Sequence, residues 1–186
     1  SPEDENLNVD TSIVEIAKEG LIELPPAQKN EGDYSFENSG INSENLLDYL
    51  NREDSVYIDL RNYEDYSKKH FKNFEVIPFF AFIYDENAGT EGFPQLFRGT
   101  HEEPEAVYES SGTILKALFP QDKNLILMCQ SGGRVSMLMK MLDAHGYDMS
   151  KVYNVGGMAQ YTGSEYRDTI TDTEELNIEV NYIINA

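Results

Sequence analysis

One short stretch limits what this chain can fold into. The apolar run Leu125-Ile126-Leu127-Met128 ends on Cys129, the sole cysteine, and Gln130-Ser131-Gly132-Gly133-Arg134 follows at once. Beyond it Val135, Leu138, Met139 and Leu142 fall at i, i+3, i+4 and i+7, a helical stripe that Gly146 ends. The pattern reads as strand, six-residue loop and amphipathic helix. A thiol at the carboxyl end of a strand, before the first turn of a helix, meets successive backbone N–H groups and the positive end of the helix dipole. Gly132 and Gly133 lack Cβ atoms, so the loop amides can converge on a bound anion without steric cost. With Arg134 beside it, Cys129 is expected to be a thiolate and therefore a nucleophile. On packing preference alone, a lone cysteine after an apolar strand is an inert core residue. The glycine pair and Arg134 reverse that reading.

At 186 residues and 40% hydrophobic, the chain can bury one good core and gives no sign of two equal domains. It has no run near the ~18 apolar residues a membrane span needs, no internal repeat and no basic cluster for nucleic acid. The formal charge of −20 is unevenly spread. Residues 1–24 carry seven acids and one lysine, residues 84–109 seven acids and one arginine, and residues 160–186 six acids and one arginine. Residues 110–159, with five basic side chains against three acids, are net positive and hold the cysteine loop. The acid therefore solubilises the tails and an insertion, and a small anion must be held by local donors because the global field repels it. The chain begins at Ser1, so a processed or trimmed product is expected. One cysteine fits a reducing compartment or, in an exported protein, a reactive thiol, which leaves cytoplasmic and exported locations open.

Along the chain, residues 1–33 read as an acidic extension with a break at Pro25-Pro26. Ser12 to Leu24 could form a short helix or an edge strand. Residues 41–51 read as a helix capped by Ser43 that buries Leu46, Leu47 and Leu50. Val56 to Leu60 is a strand, Asn62 caps a helix from Tyr63 to His70, and Val76 to Phe80 is a second apolar run bent near Pro78. Residues 84–105 form an acidic insertion rich in Gly, long enough for a lid or a surface that a protein partner could use. Helices over 106–118 and 134–145 and strands over 125–128 and 152–155 complete an alternation that implies parallel βαβ units. A weak edge strand is expected at 177–184. Sites in such sheets form at the carboxyl ends of strands, where Cys129 falls.

At this point the residues resemble a known family. Cys129-Gln130-Ser131-Gly132-Gly133-Arg134 is similar to the C-x-x-G-x-R active-site loop of rhodanese-like single-domain sulfurtransferases. Ile58-Asp59-Leu60-Arg61, followed by Tyr63-Glu64-Asp65-Tyr66, resembles the family's D-x-R strand end and the helix after it. Val152-Tyr153-Asn154-Val155-Gly156-Gly157 resembles the closing strand with its glycine pair. The resemblance covers roughly residues 34–161, leaving 1–33 and 162–186 as extensions. The chain departs from the pattern at His70 to Pro78, where the family has a Gly-His-Ile-Pro-Gly-Ala-like stretch, and at Tyr161, near the position of a common Trp.

The resemblance implies an α/β domain with a parallel sheet of about five strands and helices on both faces. It implies that the Cys129 thiolate takes the outer sulfur of an anionic donor such as thiosulfate, and that the persulfide passes it to a thiol or cyanide acceptor. The amides of Gln130, Ser131, Gly132, Gly133 and Arg134 would hold the negative sulfur, with Arg134 adding charge. Asp59 and Arg61 would support the loop, although an ordinary ion pair accounts for them equally well. Gln130 and Ser131 could contribute backbone alone.

Two rivals share these features. Cysteine phosphatases and arsenate reductases resemble C-x5-R, whereas four residues separate Cys129 from Arg134, and the shorter loop makes a smaller cradle. A non-enzymatic rhodanese-like binding module would present the insertion to a partner; many lack the cysteine that this chain keeps. No metal site is expected, since His70, His101 and His145 lie far apart with no carboxylate or cysteine at ligand spacing. Met137, Met139 and Met141 read as helix packing. Nothing calls for a cofactor.

Overall fold

The computed structural model describes residues 21–93, 95–107 and 111–171. The elements are β1 (Ser55–Asp59), α1 (Tyr63–Lys68), β2 (His70–Phe71), β3 (Glu75–Val76), β4 (Phe97–Gly99) and β5 (Pro104–Ala106). There follow α2 (Ser111–Leu118), β6 (Asn124–Cys129), α3 (Gly133–Ala144), β7 (Val152–Gly157) and β8 (Ile170–Thr171), with several 3-10 turns between them. The central sheet is parallel with strand order β3-β1-β6-β7. It thus has four strands among the described residues, against the expected five or so. β2 pairs with β8 and β4 with β5 in separate antiparallel pairs. The expected strand at 177–184 and most of the 12–24 segment lie outside the described residues.

Period-two alternation along β6 divides the core. Leu125, Leu127 and Cys129 join the α2 and α3 side with Leu115, Leu118, Val135, Leu138 and Leu142. Ile126 and Met128 join the other side, with Tyr66 of α1 and the aromatics Phe71, Phe74, Tyr161 and Tyr166. Helices therefore cover both faces. After β1 the chain pairs β3 on one side and, later, β6 on the other, so the topological switch falls between the carboxyl ends of β1 and β6. Asp59 and Cys129 are the last residues of those two strands.

The helix expected over 41–51 is instead a single 3-10 turn, Leu46–Tyr49, with Leu46 buried and Leu47 exposed. Ser43 caps nothing there. The local asparagines take the backbone groups first: Asn45 Oδ1 accepts from Asn42 N–H, Asn42 Oδ1 from Glu44 N–H, and Asn45 Nδ2 donates to Gly40 O. Residue 106 lies in β5, not in a helix, because the insertion folds back as a hairpin that pairs Ala106 with Phe97. Leu96 and Phe97 are buried, and the Phe97 ring meets His145, just past α3, edge-on at 5.2 Å. The N-terminal strap is also packed down, Gln28 Nε2 donating to Met149 O and Val152 O.

Candidate active site

The loop expected from sequence forms between β6 and α3, and it brings Cys129, Gln130, Ser131, Gly132, Gly133 and Arg134 onto one turn. Gly132 has φ +101°, and its N–H points back at Cys129 Sγ, 3.1 Å away. The twelve-residue α3 starts at Gly133, so the amides of Gly133, Arg134 and Val135 have no intrahelical carbonyl to bond. Ser136 N–H reaches Gly132 O at 3.1 Å and begins the helical ladder. Gln130 and Ser131 are exposed, and their side chains make no hydrogen bond among the described residues, which leaves the backbone as what they offer. Cys129 itself is only 1% exposed. The thiol thus lies beneath its loop.

What fixes the loop comes from β7. The two strands run in step as far as Leu127 opposite Asn154, then shift so that Cys129 faces Gly157. Gly156, at φ +83°, takes up the extra residue as a bulge. The shift lays the Gly157 backbone directly on the carbonyl groups of Cys129 and Gln130. A Cβ on Gly157 would lie 2.1 Å from Gln130 C and 2.3 Å from Cys129 O. Gln160 locks this corner, its Oε1 accepting from Gly157 N–H at 2.7 Å, while Ala159 N–H donates to Gln130 O.

Asn154 completes the support. It is buried, and Nδ2 donates to Tyr34 O at 2.8 Å and Gly132 O at 3.1 Å, while Oδ1 accepts from Gly156 N–H at 3.0 Å. Ser136 Oγ bonds the same two carbonyls. Phe36 lies against Gly132, where a Cβ would meet its ring at 2.9 Å. Sequence alone gives no role to Phe36 or Asn154, and Gly157 enters there only as half of a glycine pair. A polar residue inside Val152-Tyr153-Asn154-Val155 was the available signal for Asn154; nothing local marks Phe36.

Asp59 and Arg61 are both buried. Arg61 Nη2 donates to Asp59 Oδ2 at 2.9 Å and Nε to both oxygens at 3.1 Å, and Arg61 N–H reaches Oδ1 at 3.0 Å. The guanidinium also donates to Lys69 O at 2.6 Å, so the pair ties β1 to the end of α1. Burial pushes the Asp59 carboxyl up, and Arg61 opposes it by hydrogen bond and charge. Neither residue bonds the cysteine loop among the described residues. Two links reach it: Leu60 N–H donates to Met128 O at 2.8 Å, and the charge of Arg134 acts with Arg61 against the upward push of burial on Asp59.

Arg134 leaves the loop sideways. Its guanidinium carbon lies 5.7 Å from the centroid of the Phe80 ring, and it makes no hydrogen bond or ion pair among the described residues. Phe80 sits in a single π-turn, Phe79–Ile83, that follows Pro78 at the same edge of the sheet. A cavity of about 770 Å³, bordered by Gln28, Tyr34, Asp143 and Tyr147, lies at the far end of α3. Among the described residues no group of three or more His, Cys, Asp or Glu could hold a metal ion, and no helix is long and apolar enough to cross a membrane.

The fold and site are those of a parallel α/β domain with a cysteine-headed loop at its switch point, and comparison with known proteins gives the family. The Rhodanese-like domain family model matches residues 42–164, and the chain belongs to that family. A solved rhodanese-like domain protein from Staphylococcus aureus is similar at 18% identity and a TM-score of 0.42, over 67% of this chain and 91% of that one. No curated protein matches the chain.

Proposed function

We propose that the domain is a sulfurtransferase that works through a persulfide on Cys129. The observation that carries this reading is the Gly132 N–H aimed at Cys129 Sγ at 3.1 Å, with the open amides of the first turn of α3 beside it. Those donors favour negative charge on sulfur both before and after transfer. The Cys129 thiolate attacks the outer sulfur of thiosulfate. A new S–S bond forms, the old one breaks, and its electron pair leaves with sulfite. Charge balances, since thiolate and dianion give persulfide anion and dianion. A cyanide or thiolate acceptor then takes the terminal sulfur, and the electron pair of the broken bond restores the Cys129 thiolate. Arg134 supplies a cation for the donor and the departing sulfite.

A second reading, a non-catalytic domain that binds a protein partner at the acidic insertion, is favoured by one observation: Cys129 is 1% exposed and packed into the core. A single experiment separates the two. Intact-mass spectrometry after thiosulfate treatment should find one added sulfur per chain, discharged by cyanide as thiocyanate, and Cys129→Ser should take up none. A folded wild-type protein that gains no sulfur, or a Cys129→Ser variant that still does, overturns the persulfide reading. A phosphate monoester, left unconsumed, serves as the control substrate.

A further inference from the structure

We infer that Phe80 is a positioning residue for Arg134, holding the guanidinium by its charge so that the N–H donors stay free for the sulfur donor's anionic end. The inference rests on the anion-binding reading of the cysteine loop and extends it to a residue outside the loop. Phe80 is 46% exposed, and it follows β3 at the carboxyl edge of the sheet. Phe79 and Tyr84 pack edge-on against it at 5.2 and 6.4 Å, which fixes the ring. Arg134 lies over that ring.

The contrast with the other arginines gives the contact its meaning. Arg52, Arg61 and Arg98 spend their donors on Asp54, Asp59 and Glu105 and on backbone carbonyls, and the exposed Arg167 makes neither a side-chain hydrogen bond nor a ring contact among the described residues. Arg134 spends none within the described protein. A cation–π contact attracts the charge without consuming an N–H, whereas a carboxylate would take both the charge and the donors. Carboxylates compete for the charge: Arg134 already acts on the buried Asp59, and Asp85 and Glu86 border a recess that also includes Phe80. Without the ring, the guanidinium is free to turn to them and away from the anion.

The test uses sulfite, the product dianion, which cannot load the thiol. The Nε–H resonance of Arg134, identified by its loss in Arg134→Lys, is followed at mildly alkaline pH through a sulfite titration. Phe80→Ala should move this resonance before any ligand is added and weaken sulfite binding about two- to five-fold, the range of an exposed cation–π contact. Phe80→Leu keeps apolar bulk without the ring quadrupole and should be as weak as Phe80→Ala, whereas Phe80→Tyr should restore wild-type binding. In turnover, kcat/KM should fall for thiosulfate and hold for cyanide. Wild-type affinity in either Phe80→Ala or Phe80→Leu overturns the assignment and leaves the persulfide reading standing. A wild-type protein that binds no sulfite at the loop overturns the anion site and the role of Phe80 together.

Discussion

Replacing Gly157 by alanine tests whether the shifted register of β7 shapes the thiol's surroundings. The new methyl carbon would stand 2.1 Å from the carbonyl carbon of Gln130 and 2.3 Å from the oxygens of Cys129 and Gln130. Carbon atoms rest at about 3.5 Å or more, so the Gln130 carbonyl must retreat by about 1.4 Å. All three neighbours are backbone, and no rotamer change relieves them. Overpacking of this kind costs about 3 kcal/mol, and in a chain of this length each kcal/mol lowers Tm by about 2–4 °C. A fall of about 6–12 °C is expected. Sulfur loading should drop further than stability explains, on the order of 100-fold, because a displacement of about 1 Å at a reacting group has that effect. Gly133→Ala is the control, since a Cβ there meets nothing within 4 Å. Thermal unfolding and the rate of mass gain from thiosulfate are measured on both variants. Gly157→Ala with wild-type loading would refute the idea that β7 sets the loop geometry, and so would equal losses in the two variants.

Two further outcomes follow from other parts of the site. Asn154→Asp exchanges the Nδ2 donor for an oxygen facing Tyr34 O and Gly132 O, at a cost of about 1–3 kcal/mol. The buried carboxyl is relieved by holding a proton, so the folded state binds more protons than the unfolded one, and stability relative to wild type should fall as pH rises. A Tm difference that is the same at mildly acid and mildly alkaline pH would exclude this account. For the charge of −20, added salt should first speed loading by thiosulfate and then slow it. Screening lengths fall from ~10 Å at 0.1 M to ~3 Å at 1 M, so distant acids are masked before the contact with Arg134 weakens. Loading that falls from the lowest salt upward would contradict the repulsion argument.

The cysteine loop and α3 were legible because their signals are local: an apolar run, two glycines, and a stripe from Val135 to Leu142 that the folded helix buries. The parallel βαβ alternation was legible for the same reason and put Cys129 at the carboxyl end of a strand; where the switch point falls depends on strand order, which no local signal carries. What escaped was settled at long range. Gly157 was quoted as half of a glycine pair, but its need to be glycine arises from a register shift against β6 that no spacing reveals. Asn62 does precede α1, yet its side chain makes no cap hydrogen bond. The 41–51 segment has helical spacing of leucines, and its asparagines outcompeted the helix for backbone partners. The insertion read as a lid or a partner surface because its composition is that of a loop; that Leu96 and Phe97 are buried and that Phe97 meets His145 at the end of α3 depends on long-range packing its composition does not show.

The support of the cysteine loop by Tyr34, Phe36, Asn154 and Gly157 bears on the order of assembly. The loop is contiguous in sequence, but Asn154 bonds Tyr34 across 120 positions and Ser136 does so across 102. Contacts of such separation are entropically late, formed once most of the chain is already collapsed. During synthesis Cys129 emerges before β7 exists, and at that stage neither Asn154 nor Gly157 is present to hold its loop. Only the last strand of the sheet, together with a segment from the beginning of the domain, turns that loop into a cradle. The geometry around Cys129 is therefore a property of the folded domain as a whole, and a half-folded copy carries the thiol without the hydrogen bonds and packing that shape its loop.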